Sequence, residues 1–176
     1  MKHKRHIKIT QLFSLLALLL LSSFSMDVGY YDSTNQVPVL MARSEFEQAI
    51  KTLPAKPLSQ TTRIYLMPEE HKLFVVELYR GVHVIDNSDP KDPKVLYFIN
   101  IPGCMDMSIK DEVLYARSAE DLVAIDISNL SDVVEIQRVR ETFPELYNME
   151  GYYFPSRFSK ENRPDNTVIV AWEENN

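Results

Sequence analysis

The sequence predicts an all-β protein, a partial β-propeller of four-stranded antiparallel blades preceded by a signal peptide and a short helix. Two observations predict it. From Thr61 onward the chain alternates short β-branched and aromatic runs with Pro, Gly, Asn and Asp turns. The pattern then repeats, because Asp86 and Ser88 recur as Asp126 and Ser128, 40 residues later. A repeat of about 40 residues that carries four strands is typical of a propeller blade.

The repeat divides the chain into about two and a half blades. The first blade spans 61–103, and its strands are expected at 63–66, 73–77, 81–85 and 95–101. The second spans 104–145, and a partial third spans 146–176 with one apolar strand at 167–173. Phe74 and Leu114 are also 40 residues apart, and we take them as equivalent positions of the two blades.

Residues 1–25 have the layout of a secretory signal peptide. A basic stretch precedes the apolar run 12–21, and small residues end at Ser25, so the mature chain is expected to start at Met26. The apolar run is too short for a helix that needs about 20 residues to span a membrane. Because Cys104 is the only cysteine, no lipid can be attached at the cleavage site. We therefore expect an exported protein, periplasmic or extracellular, without a stable transmembrane span.

Two segments separate the signal peptide from the first blade. Residues 26–42 lack hydrophobic periodicity and are expected to form a flexible lead-in. Residues 43–54 are expected to form a short helix, since Ser44 and Glu47 have capping-box spacing and Pro54 would end it. Its apolar face would consist of Phe46, Ala49, Ile50 and Leu53.

Charge and cysteine content exclude some functions. The net charge is -6, and it becomes -10 when the four basic residues of the signal peptide are removed. An acidic domain is a poor partner for the phosphate backbone, so nucleic-acid binding is not expected. A single cysteine forms no internal disulfide, and Cys104 lies in an apolar context that predicts a small buried side chain.

The polar residues do not form a recognisable catalytic, cofactor-binding or metal-binding motif, and we assign none to those roles. His71 and His83 are expected more than about 10 Å apart on one hairpin, so they should not share a metal. Asp86, Asp89 and Asp92 lack the ligand order of a calcium loop and suit ordinary turns. Three acidic pairs are expected on a solvated rim, namely Glu69/Glu70, Asp111/Glu112 and Glu120/Asp121.

Aromatic residues lie mostly inside predicted strands, where packing is their ordinary role. Tyr79 is expected at a hairpin tip. With Tyr147, Tyr152 and Tyr153 it offers an alternative, a stacking surface for a glycan or a peptide.

The motifs at 81–93, 98–103 and 121–128 resemble those of the LVIVD-repeat proteins, which are secreted or surface-attached propellers found in many Bacteroidetes-like bacteria. The chain would correspond to the N-terminal portion of such a protein. It departs from the family by lacking a lipoprotein cysteine and by having fewer blades than the four to eight of a closed propeller. The resemblance implies that self-association or a partner chain completes the ring, or that the chain is truncated.

These observations favour a binding or scaffold module at the bacterial cell envelope over an enzyme. The ligand would be an unknown protein or glycan, and no cofactor is expected. One alternative is a carbohydrate-active hydrolase, in which two carboxylates would face a common cleft. Another is a fragment without independent activity, which would expose a large apolar patch.

Overall fold

The computed structural model describes residues 35–148 and 156–175. The predicted signal peptide, 1–25, lies outside the described residues, as do Tyr152 and Tyr153. The described part is mostly β, with antiparallel sheets, and the all-β prediction is confirmed at that level.

The described strands form three antiparallel sheets. Sheet I has five strands in the order β2-β6-β5-β4-β3, sheet II has four in the order β10-β9-β8-β7, and sheet III pairs β1 with β11. The bounds are β1 (Gln36–Ala42), β2 (Lys51–Pro54), β3 (Thr61–Met67), β4 (Lys72–Glu77), β5 (Gly81–Asp86), β6 (Lys94–Asn100), β7 (Cys104–Lys110), β8 (Val113–Ser118), β9 (Asp121–Asp126), β10 (Val134–Val139) and β11 (Thr167–Glu174). The described residues also form one short α-helix, α1 (Arg43–Phe46), and three 3-10 turns, Pro68–Glu70, Ser156–Phe158 and Lys160–Asn162.

Sheets I and II repeat the same local structure. The last strand of each has a register shift after its second residue, so that Leu96 and Ile136 are the extra residues at equivalent bulges. The turn before that strand is also repeated, since the Ser88 amide donates to Asp86 Oδ1 at 2.9 Å and the Ser128 amide does the same to Asp126. The sequence repeat is therefore a structural repeat over its second half.

The alignment of Phe74 with Leu114 is wrong by one residue. Leu114 pairs with Ile125, and the residue that pairs with the equivalent Ile85 is Leu73. The difference arises in the central hairpin, where Glu77 pairs with Gly81 in sheet I but Ser118 pairs with Asp121 in sheet II. The first hairpin loop is thus one residue longer, and a one-residue shift moves a side chain to the opposite face.

The main core lies between sheets I and II. Phe74, Val84, Leu114 and Val123 belong to it, and none is more than 1% exposed. Cys104 is also fully buried there, as predicted, and burial raises the pKa of its thiol to about 12. Burying each large aliphatic or aromatic side chain stabilises the fold by about 1.5–3 kcal/mol, so this interface holds the two sheets together.

The predicted helix over 43–54 is wrong beyond its first turn. Helix α1 ends at Phe46, and the Ser44 side chain does not cap it, because the N-cap is Ala42 without a side-chain hydrogen bond. Residues Lys51–Pro54 instead pair with the outer edge of β6. A single uncapped turn is a marginal helix, whereas the edge of β6 supplies backbone partners that only the folded chain provides.

The lead-in predicted over 26–42 is wrong from Gln36, since Gln36–Ala42 pairs as β1 with β11. The apolar strand of the partial third repeat therefore takes its partner from the other end of the described chain. Sheet III packs against the two hairpin loops, because Tyr79 and Ala119 belong to the same buried cluster as Trp172. The Trp172 indole donates to the Leu146 carbonyl at 3.0 Å within that cluster.

Candidate functional site

A groove runs along the outer face of sheet II and around its β7 edge, where Arg63 of β3 borders it. Side chains alternate along a strand, so Tyr115 and Arg117 point away from the core that contains Leu114 and Ala116, whereas Met107, which pairs with Ala116, lies at the edge of that core. The groove has a volume of about 450 Å³. Ligand sites have volumes of about 300–1,000 Å³. We call it the Arg117 groove; its apolar lining includes Met105, Met107, Tyr115, Leu122 and Phe143.

Arg117 is a half-buried cation without a carboxylate partner in the described part of the chain. Its Nε donates to the Ala119 carbonyl and its Nη2 to the Pro144 carbonyl, both at 2.8 Å. The guanidinium carbon lies 5.1 Å from the centre of the Phe143 ring. Burial lowers the pKa of Arg117, and the phenols of Tyr147 and Tyr79 oppose this shift. The positive charge is therefore partly desolvated, and no carboxylate within residues 35–148 and 156–175 pairs with it.

Tyr79 is a buried phenol whose pKa is influenced by the charge of Arg117. It lies in the hairpin loop, as predicted, but the residue is only 8% exposed, so its proposed role in a stacking surface is wrong. Its hydroxyl is buried and has no hydrogen-bond partner among residues 35–148 and 156–175. Burial raises the pKa of Tyr79, as does Tyr147, whereas Arg117 lowers it.

The other two charged residues that line the described part of the groove form an ion pair. Arg63 Nε lies 3.2 Å from Asp106 Oδ1, and both side chains are more than half exposed. Among the described lining residues, Arg117 is therefore the charge without a carboxylate partner.

The two histidines are separated, as predicted. His71 is exposed at the end of a 3-10 turn, whereas His83 is completely buried, with its Nε2 2.6 Å from Glu77 Oε2. Glu77 also accepts a hydrogen bond from Lys56 Nζ at 2.9 Å, and that ammonium group lies over the Phe98 ring. No three His, Cys, Asp or Glu side chains in the described ranges are grouped to hold a metal ion.

The Glu77 contacts predict a pH dependence of stability. Burial alone would raise the pKa of Glu77, but hydrogen bonds and charges from Lys56 and His83 outweigh it and lower the pKa below 4.5. A carboxyl group whose pKa is depressed on folding stabilises the fold above its unfolded pKa, and that stability is lost as the pH falls through the folded pKa. We expect Glu77→Gln to cost about 1–3 kcal/mol at pH 7, because the buried His83 and the partly exposed Lys56 lose their charged acceptor.

Thermal unfolding between pH 7 and pH 3 measures this effect. The Glu77→Gln curve should approach the wild-type curve below pH 4.5, the ordinary value for this carboxyl. The exposed Glu69, replaced by Gln, is the control and should leave the profile unchanged. A constant difference between Glu77→Gln and wild type at every pH would contradict the charge assignment.

The aspartates after β5 stabilise turns. Asp86 Oδ1 accepts hydrogen bonds from the amide and hydroxyl of Ser88, at 2.9 and 2.6 Å, and these bonds lower the pKa of Asp86. Asp89 Oδ1 accepts from the Lys91 amide at 2.9 Å. The interpretation of this segment as turn structure is confirmed.

Two of the three acidic pairs lie on the surface as predicted, namely Glu69/Glu70 and Asp111/Glu112. The prediction for Glu120 and Asp121 is wrong, because both are buried. Asp121 Oδ2 accepts from Arg43 at 2.7 Å and from Arg138 at 3.0 Å, and Arg43 also contacts Glu120. Arg43 belongs to helix α1 and precedes Asp121 by 78 residues in the sequence.

A second, more polar cleft of about 280 Å³ lies beside this ion-pair network. Arg43, Lys160 and Arg163 line it, but each forms ion pairs with glutamates of the fold. Its cations are therefore already neutralised, which distinguishes it from the Arg117 groove.

Comparisons with known proteins gave no match to a protein-family model, a curated protein or a solved structure. Within the described residues, no helix has the length and apolar character needed to cross a membrane.

Proposed function

We propose that the chain is an exported, non-enzymatic binding module of the partial-propeller type, and that it binds its ligand in the Arg117 groove. The observation that carries the proposal is an open, largely apolar groove lined by the half-buried Arg117, which has carbonyl acceptors but no carboxylate partner among the described residues. A partly desolvated cation favours an anionic partner, because a charge-assisted hydrogen bond is stronger than a neutral one.

The propeller part of the proposal is supported by the repeat. Two sheets with equivalent bulges and turns pack face to face. In sheet I, the face that carries Phe74 and Val84 is covered by sheet II, and the equivalent face of sheet II is its outer face. By analogy, a further sheet or a ligand would cover that outer face. Export is supported by the signal-peptide layout of 1–25 and by the motifs that resemble LVIVD repeats.

A role in binding is favoured over hydrolysis by the partners of the acidic residues. The buried carboxylates Asp121 and Glu120 form ion pairs with Arg43. Glu77 pairs with Lys56 and contacts His83. These carboxylates therefore stabilise the fold. Glycoside hydrolysis requires two carboxyl groups facing one sugar. The Arg117 groove contains a single carboxylate, Asp106, which is paired with Arg63.

An uncharged fluorescent probe tests whether the groove binds apolar molecules. N-phenyl-1-naphthylamine should fluoresce on binding to the full chain, and Tyr115→Glu should weaken its affinity about tenfold, since a charge in an apolar site is costly. Tyr115 lines the groove and is 39% exposed on the face away from the core, and the control is Ile64→Glu, because Ile64 is exposed on β3 and does not line the groove. Equal losses in both variants, or no fluorescence change with wild type, would overturn the proposal.

A further inference from the structure

We propose that the Arg117 groove binds a small apolar carboxylic acid, with the carboxylate on the Arg117 guanidinium and the apolar body along the floor of the groove. This inference rests on the proposed function and adds the chemical class of the ligand.

The donors of Arg117 fit a carboxylate. A guanidinium has five N–H donors, and two of those of Arg117, on Nε and Nη2, donate to the Ala119 and Pro144 carbonyls. These bonds fix the plane of the group, while Nη1 has no acceptor among the described residues. A carboxylate accepts two parallel bonds from such a fork, which is the strongest pairing available to this side chain.

The electrostatic environment favours an anion. Carbonyl oxygens and the Phe143 ring orient the guanidinium, but they supply no net negative charge. An incoming anion would neutralise the cation and accept hydrogen bonds from Nη1 and from the second N–H of Nη2.

The rest of the groove fits an apolar body with one charge. Met107, Tyr115 and Leu122 supply apolar surface, and thioether side chains adapt to ligands of different shape. The other charged groups of the lining, Arg63 and Asp106, pair with each other, so they offer no separate site for a second charge on the ligand. A volume of about 450 Å³ suits a small molecule with a single acidic group.

Two probes of nearly identical shape test the requirement for a carboxylate. 4-Phenylbutanoate and 4-phenylbutanamide are titrated against the full chain, and each is measured by displacement of the uncharged naphthylamine probe. Wild type should bind the carboxylate at least about tenfold more tightly than the amide, because a bidentate charge-assisted pair replaces a neutral contact. Equal affinities would overturn the inference while leaving the proposed function intact, since the uncharged probe reports the groove itself.

Substitutions then assign the preference to one side chain. Arg117→Leu should abolish the discrimination between the two probes while the naphthylamine still binds. Arg80→Leu is the control, because Arg80 is exposed and pairs with Glu173 outside the groove. If Arg117→Leu does not fold, Arg117→Gln is measured instead, since it keeps a polar side chain. A preference for the carboxylate that persists without the Arg117 charge would overturn the inference.

Discussion

Replacing Asp121 with asparagine is expected to destabilise the fold by about 1.5–3 kcal/mol, because Arg43 and Arg138 each lose a charged acceptor, although Glu120 and Glu135 remain as their partners. Asp121 is completely buried between Arg43 and Arg138, and the Arg138 side chain is only 8% exposed. Burial would lower the pKa of Arg138, but the hydrogen bonds that it donates to the Glu135 and Asp121 carboxylates outweigh burial and raise the pKa. Asparagine keeps an oxygen for the Glu141 amide, so the variant isolates the loss of charge.

Urea denaturation followed by the fluorescence of Trp172 measures this effect. Asp132→Asn is the control, since Asp132 is exposed, and its free energy of unfolding should change by less than about 0.5 kcal/mol. A similarly small change for Asp121→Asn would mean that the network contributes no more than a surface ion pair, and that α1 is not held by Asp121.

Leu114→Ala is expected to lower the free energy of unfolding by about 2–5 kcal/mol, because it opens a cavity between sheets I and II. Leu114 is fully buried and contributes to the core that joins Phe74 and Val84 to Val123 and Ile125. The loss includes the transfer of the removed atoms and the cavity that the surrounding strands cannot refill.

Leu66→Ala provides the comparison for this cavity. Leu66 is 51% exposed on β3, so its truncation should cost much less than that of Leu114 when both are measured by urea denaturation. Equal costs at the two positions would contradict the face-to-face packing of the sheets, on which the outer position of the groove depends.

Three strands of sheet I were predictable because their signals are local. The observed bounds of β4 (Lys72–Glu77), β5 (Gly81–Asp86) and β6 (Lys94–Asn100) differ from the predicted ones by at most one residue at either end. Turn residues such as Asp86 and Ser88 hydrogen-bond within their own loop, so the sequence alone specifies them.

The elements that precede Thr61 depend on distant partners, which the sequence does not reveal. β1 pairs with β11, and β2 pairs with β6, so neither has local hydrogen-bonding partners. Arg43 reaches Asp121 across 78 residues, which is why the acidic pair was expected on the surface.

Arg117 was missed although a signal was present. Val76 pairs with Val82, and Arg117 pairs with the equivalent Leu122, so Arg117 occupies the register position of a fully buried valine in the first repeat. The one-residue difference between the hairpin loops hid this correspondence. A charged residue in place of a core valine marks a position at which the two repeats differ in chemical character.

The most direct test of the Arg117 groove as the binding site is the methyl NMR spectrum of methionine-labelled protein during titration with 4-phenylbutanoate. We predict saturable shifts of the signals of Met105 and Met107, which line the groove, and none at Met41 or Met67, which do not. The same shifts should be absent in Arg117→Leu at equal ligand concentration. Saturable shifts confined to Met41 or Met67, or no saturable shift at any methionine, would contradict the account.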